Sequence, residues 1–276
     1  MADSWIHIPR DFARSLGEDA VRIADRGSYS LPDGSHFDIA EEVEACVRAT
    51  IHLASDHAHA SPMRGEFVTQ IEVTNETTLS AARRHLDLGL RCCALNFASA
   101  LEPGGGFLRG ARAQEEYLCR SSALYLCLRN GPMYAFHQQQ DDPFYSDAMS
   151  WSPDVPVFRE DQHALCAPWC MTFLTAAACM AKQIAPRDQA RIRSVMMTRT
   201  EKVLSLAQQQ GHDSLVLGAW GCGAFGNDGD VIAGIFRDAI FGPFAGAFRK
   251  ITFAIVDESA DLFFLSPFRR AFAQSR

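Results

Sequence analysis

One stretch limits the fold more than any other. Residues 91–97, Arg-Cys-Cys-Ala-Leu-Asn-Phe, lead through Glu-Pro into Gly104-Gly105-Gly106, and after seven intervening residues comes Gln114-Glu115-Glu116. Short, apolar and bounded by turn residues, 91–97 reads as a buried strand. Three consecutive glycines remove every side chain and free φ to become positive, so successive N–H groups can turn toward an anion. Two acids then open a helix, where its dipole favours them. Strand, glycine loop and helix in this order are the connection of an α/β sheet, whose ligands sit beyond the C-terminal strand ends. A phosphate cradle beside an amide and two carboxylates, groups that bind hydroxyls and move protons, points to chemistry on a sugar nucleotide.

The rest of the chain continues the alternation. Phe12, Leu16, Ala20 and Ile23 share one face of a helix over 9–25, and Ile39, Val43, Cys46, Val47 and Ile51 predict a second over 40–54. Leu31-Pro-Asp-Gly-Ser35 reads as a turn between two short strands. Residues 67–73 alternate as a strand, and Thr77 caps a helix to Leu88 that Gly89 ends. Residues 115–128 read as one helix, 133–136 and 171–176 as strands separated by irregular chain, and 186–210 as a helix stopped by Gly211. A strand at 215–219 enters a second glycine-rich loop, Gly221-Cys222-Gly223-Ala224-Phe225-Gly226. Asp228 or Asp230 then caps a helix to Ile240, 251–256 is the last strand, and a short helix starts near Pro267.

At 276 residues and 47% hydrophobic, the chain can bury a substantial core as one large domain or two small ones. A net charge of −7 without basic clusters excludes the electrostatic footprint of a duplex nucleic-acid binder. The opening Met-Ala-Asp-Ser-Trp-Ile-His lacks the basic and apolar regions of a signal peptide, and no apolar run approaches the ~20 residues of a membrane helix. Nine cysteines, mainly in apolar segments (Cys92, Cys93, Cys119, Cys127), read as reduced, buried thiols of a protein of the cytosol or nucleus. His163, Cys166 and Cys170 have no Cys-x-x-Cys partner, so no metal is expected. Cys222 has no positioned base and reads as a small buried side chain rather than a nucleophile.

The triple glycine followed by Gln-Glu-Glu resembles the signature of poly(ADP-ribose) glycohydrolases. The fuller string, from Asn96-Phe-Ala-Ser-Ala through Pro-Gly-Gly-Gly-Phe and Ala-Gln-Glu-Glu-Tyr-Leu to Arg-Ser-Ser-Ala-Leu-Tyr, looks like the microbial type. Four further blocks fit in order: Ile71-Glu-Val-Thr-Asn-Glu-Thr-Thr78, Tyr145-Ser-Asp147, Ser152-Pro-Asp-Val-Pro-Val-Phe158 and Leu215-Val-Leu-Gly-Ala-Trp-Gly-Cys-Gly-Ala-Phe-Gly-Asn227. Together they span about three quarters of the chain; residues 166–191 match loosely. The resemblance implies a macrodomain-like three-layer α/β/α sandwich with a mixed sheet and an N-terminal accessory extension. Residues 1–65 would form that helical and hairpin region, packed on a catalytic core of 66–276.

It also implies roles. Glu116 would be general acid and then base, while Glu115 holds a ribose hydroxyl and Gln114 shapes the same pocket. Adjacent side chains on a helix point ~100° apart, so the two acids would not share one task. Asn96 would bond the ribose, and Gly104, Gly105 and Gly106 would cradle substrate. Gly221, Cys222, Gly223 and Ala224 would form the diphosphate-binding loop, with Phe225 orienting the distal ribose. The two loops together would fold the diphosphate back. The implied reaction cuts the ribose–ribose O-glycosidic bond of poly(ADP-ribose), releasing ADP-ribose from the chain end without cofactor or metal. The implied partners are poly(ADP-ribose), ADP-ribose and poly-ADP-ribosylated proteins, met by a monomer that reverses ADP-ribosylation, including in the DNA damage response; neither duplex nucleic acid nor membrane is expected. Two alternatives stand beside this: a macrodomain that reads ADP-ribose without cutting it, and a hydrolase of mono-ADP-ribosyl or O-acetyl-ADP-ribose bonds. A reader needs only the loops, so the paired glutamates favour hydrolysis.

Overall fold

A computed structural model describes residues 8–273; the opening Met1 to His7 stretch lies outside the described residues. In chain order the elements are α1 (Arg10–Arg26), β1 (Ser28–Ser30), β2 (His36–Asp38), α2 (Ala40–Ala49), β3 (Ile51–Leu53), β4 (Gln70–Thr74), α3 (Thr78–Asp87) and β5 (Cys92–Phe97). Then come α4 (Gln114–Ser121), α5 (Leu124–Leu128), α6 (Pro132–Gln139), β6 (Met149–Arg159) and β7 (Leu165–Ala176). The chain closes with α7 (Arg191–Gln209), β8 (Ser214–Leu217), α8 (Gly229–Phe241), β9 (Lys250–Ala254) and α9 (Ser266–Ala271). Seven strands form one mixed sheet, and β1 and β2 form a separate antiparallel pair around the expected turn.

The chain divides into two compact units. The first comprises Met1–Ala54, Asn96–Gln139 and Ala148–Thr175. Its strands run β3-β6-β7, with β3 antiparallel to β6. Phe107, Tyr117, Leu118, Leu124 and Phe158 are fully buried there. So is Arg159, which costs free energy unless it is paired. Its guanidinium meets Asp19 at 2.6 Å and donates to the carbonyls of Arg120 (3.1 Å) and His163 (2.8 Å).

The second unit comprises Ser55–Leu95, Gln140–Asp147 and Ala176–Arg276. Its strands run β5-β8-β9-β4, all parallel, with helices α3 and α8 in the crossovers. Parallel strands buried on both faces favour apolar runs, which 92–95 and 215–217 supply, while 250–254 is buried throughout although it includes Lys250 and Thr252. Trp220, Phe236, Phe253 and Phe268 form an aromatic core, with Phe236 edge-on to Phe253 at 5.4 Å. Thr77 caps α3 by accepting from Ser80 N at 3.0 Å, a contact worth ~1 kcal/mol. Asp228 caps α8, accepting from the amides of Asp230 and Val231.

Four local expectations change. The helix after Ile39 ends at Ala49, because Thr50 turns extended (ψ 128°) and bonds Cys46 O, so β-branched Ile51 opens β3. Residues 115–128 are two helices, split where Ser122 becomes extended and bridges Val157. The apolar run 133–136 is helical rather than a strand, with Met133, Tyr134 and His137 on the buried face of α6. The stretch read as irregular contains β6, the strand-long partner of β7. Phe12 is half exposed, edge-on to His163.

His85 gives α3 a pH dependence. It is fully buried with Nε2 at 2.8 Å from Thr252 Oγ1, and burial, aided by the Lys250 and Arg84 charges, lowers its pKa to about 4. The native ring stays neutral while the unfolded chain protonates near ~6.5, so its stabilisation is complete above that pH and is lost as pH falls toward about 4. One proton limits the slope to ~1.4 kcal/mol per pH unit. Urea melts at pH 7 and 4.5 are expected to show this loss in the wild type and a smaller one in His85→Gln. Equal losses would contradict the assignment.

Candidate active site

The end of β5 and the start of α4 are stitched together by side chains. Asn96 is fully buried, and its Nδ2 donates to Glu115 Oε1 (3.3 Å) and Thr175 Oγ1 (3.2 Å). Its Oδ1 is buried without a partner among the described residues. Phe97 N donates to Gln114 Oε1 at 2.9 Å, and Ser99 N donates to Glu115 Oε2 at 2.6 Å. Asn96, Gln114 and Glu115, to which the resemblance gave roles at the ribose, thus lie together at the β5–α4 junction, with Ser99 as a partner the sequence did not mark.

The triple glycine wraps over the same two acids. Gly104 and Gly105 have positive φ (70° and 58°), whereas Gly106 does not (−95°). Gly106 N donates to Glu116 Oε1 at 2.9 Å, Gly105 N to Glu102 O at 3.0 Å, and the Gly104 amide to Glu115. Two of the three loop amides therefore turn toward anions, the chain's own carboxyls, while the third donates to a backbone carbonyl. A Cβ on Gly105 would collide with Glu116 Oε1 and lie 3.2 Å from Glu115 Oε2. Only glycine combines this φ with this approach.

Burial separates the two acids. Glu115 is 3% exposed, and desolvation pushes its pKa well above the usual carboxylate range. The Glu116 charge adds to this, the bonds from Ser99, Asn96 and Gly104 oppose it, and burial wins. A neutral Glu115 can donate a hydrogen bond as well as accept one. Glu116 is partly exposed and is the more accessible of the two acids.

The second loop lies in the second unit. Trp220 anchors its start, fully buried with Nε1 donating to Ala176 O at 3.1 Å. Gly221 and Gly226 have φ of 74°, and a Cβ on Gly221 would meet Ala178 and Asn227. Cys222 is buried, and burial, then the Asp228 charge, raises its thiol to about 12, so it is no thiolate nucleophile. Among the described residues the N–H groups of Gly223, Ala224 and Phe225 have no hydrogen-bond partner. Three successive N–H groups are thus left available to an acceptor outside the loop. Lys182 reaches this loop, its Nζ 3.5 Å from Gly223 O, and Tyr145 lies 6.2 Å from Phe225 with a strained φ of 55°. Lys182 was not marked by the sequence; Tyr145 opens one of the matching blocks, which assigned it no role. A cleft of about 700 Å³ borders the loop, lined by Lys182, Gly223, Asp228 and Phe264 among others.

Among the described residues none of the nine cysteines forms a disulfide, with Cys170 exposed and Cys166 half-buried. His163 occupies the turn between β6 and β7. Among the described residues no three His, Cys, Asp or Glu side chains gather as a metal site, and no helix is long and apolar enough to cross a membrane.

A mixed α/β sheet with a glycine loop clasping paired glutamates at a helix start defines a macrodomain-like glycohydrolase. Comparison with known proteins narrows this. The microbial-type PARG catalytic domain matches residues 17–160. The crystal structure of poly(ADP-ribose) glycohydrolase from Thermomonospora curvata is 42% identical, with a TM-score of 0.87 over 95% of this chain and 100% of that one. The same figures hold for that protein bound to the inhibitor ADP-HPD. Poly(ADP-ribose) glycohydrolase from Deinococcus radiodurans in complex with ADP-ribose is 38% identical, with a TM-score of 0.78 over 84% of this chain and 98% of that one. No curated protein matches. The chain belongs to the microbial-type poly(ADP-ribose) glycohydrolase family.

Proposed function

We propose that this poly(ADP-ribose) glycohydrolase cuts the polymer from its end and releases ADP-ribose, with Glu116 as the single acid and base. The observation that carries the reading is the division between a buried Glu115 and a more accessible Glu116, both held by one glycine loop. Cleavage passes through an oxocarbenium-like centre, which needs a proton for the departing oxygen and negative charge nearby. Glu116 in its acid form gives that proton as the glycosidic C–O bond breaks. The substrate's own diphosphate supplies the charge. Water then attacks the anomeric carbon, and the Glu116 carboxylate takes its proton, restoring the acid.

Glu115 holds a ribose hydroxyl, Gln114 keeps the pocket wall in place, and Asn96 fixes Glu115. The amides of Gly223, Ala224 and Phe225 bind diphosphate. ADP-ribose bound to the D. radiodurans relative is the product of such a cut, which supports the reading. Poly-ADP-ribosylated proteins are the natural carriers of the substrate, and the enzyme acts on them as a monomer.

End cutting needs one side of the ribose pocket closed, by the N-terminal region or by chain after Val256. Chromatography of early products is expected to show ADP-ribose alone, also in EDTA because the proposed chemistry runs on Glu116. Early oligomers would mean an open pocket. Activity lost in EDTA and restored by a divalent ion would overturn the mechanism.

A further inference from the structure

The loop between the triple glycine and α4 carries a cation that the chemistry above does not use. Arg109 is exposed and pairs with Glu102 of the same loop. A Cβ placed on Gly106 would lie 3.7 Å from Arg109 Nη2 and 3.9 Å from Glu116 Oε1, so the guanidinium and the carboxylate flank one glycine. The Glu116 charge acts on Arg109, raising its pKa after the larger effect of Glu102. The backbone here is tied to the start of α1. Arg10 Nε donates to Arg109 O (3.2 Å), Arg112 Nη1 donates to Ile8 O (2.8 Å), and Gly110 (φ 77°) packs against Arg10. Arg10 and Arg112 thus anchor the loop that carries Arg109 to the start of α1.

We propose that Arg109 binds the departing part of the substrate, forking onto the diphosphate of the polymer unit that leaves with the scissile oxygen. This rests on the reading that Glu116 protonates that oxygen. For the transfer the oxygen must come within ~3 Å of the Glu116 carboxyl. The leaving ribose then lies over the exposed side of the loop, beside Arg109, and its own diphosphate follows at the far end of that sugar. A guanidinium on a long side chain suits a bidentate grip on phosphate oxygens. Glu102 is the anion that occupies this grip until phosphate arrives. Exposed ion pairs hold weakly, so the exchange is easy. The site therefore distinguishes a polymer from any substrate whose leaving group is small and uncharged.

The test compares poly(ADP-ribose) with ADP-ribose carrying an uncharged phenolic leaving group at its anomeric carbon. In Arg109→Ala, kcat/KM on the polymer is expected to fall roughly ten-fold further than on the phenolic substrate, the scale of one charge-assisted contact. The gap should narrow at high salt, and Arg109→Lys should recover part of it. Glu102→Gln, which removes the competing anion, should raise kcat/KM on the polymer. Equal losses on both substrates would overturn the proposal, since Arg109 would then act by positioning Glu116, and so would an unchanged polymer rate. A wild-type enzyme that cleaves neither substrate would overturn the Glu116 reading instead, and this parallel control separates the two failures.

Discussion

Glu116→Gln is expected to lower turnover by ~10²–10⁴-fold while ADP-ribose still binds. The glutamine carbonyl can keep the bond that Glu116 Oε1 now accepts from Gly106 N, so the loop has no reason to move. What disappears is a group able to give a proton to the leaving oxygen and recover one from water. Single-turnover rates and calorimetric binding of ADP-ribose check the two halves separately. Turnover close to wild type would sink the mechanism. Loss of binding together with turnover would show that Glu116 shapes the loop rather than moving a proton.

Two glycine substitutions are expected to fail in different ways. Gly105→Val forces a β-branched residue to φ 58° and drives its Cβ into Glu116 Oε1, so hydrolysis and ADP-ribose binding should both collapse. Left-handed backbone costs an ordinary residue ~1–2 kcal/mol, so the fold should survive with lower stability. Gly223 differs: a Cβ there meets nothing within 4 Å, and its φ lies outside the left-handed region. The fold of this chain gives no reason for glycine at that position, whereas a ligand closing on the Gly223, Ala224 and Phe225 amides does. Gly223→Val should therefore weaken ADP-ribose binding with an unchanged circular dichroism spectrum and melting temperature. Unchanged affinity by calorimetry would show that this loop is not the diphosphate cradle.

The segment from β5 through the triple glycine to α4 was legible because each part carries its own local signal: an apolar strand, glycines at positive φ and first-turn acids. Thr77, Gly89 and Gly211 marked helix ends for the same reason. Run 133–136 was misread because four apolar residues fit either period; Pro132 at the helix start, with burial of Met133, Tyr134 and His137 one turn apart, decides for α6. Strand β6 was hidden by Pro153 and Pro156, residues that normally argue against a strand, and by Asp154, which bends it at φ 48°. The break at Ser122 comes from its bridge to Val157, which no local pattern encodes. At the site, residue types and spacing pointed to both loops. The pairing of Asn96 with Glu115, of Glu116 with the Gly106 amide, and of Tyr145 with Phe225 required the folded chain, because each joins residues well separated in sequence.

Hydrolysis at the ribose–ribose bond, rather than ADP-ribose binding alone or cleavage at the protein link, is the central claim. Its most direct test incubates the purified protein separately with poly(ADP-ribose) and with a mono-ADP-ribosylated protein, and identifies what is released by chromatography and mass spectrometry. The expected result is free ADP-ribose from the polymer, with the protein-linked unit left largely in place. Binding of polymer without release, or release from the mono-ADP-ribosylated protein while the polymer stays intact, would contradict it.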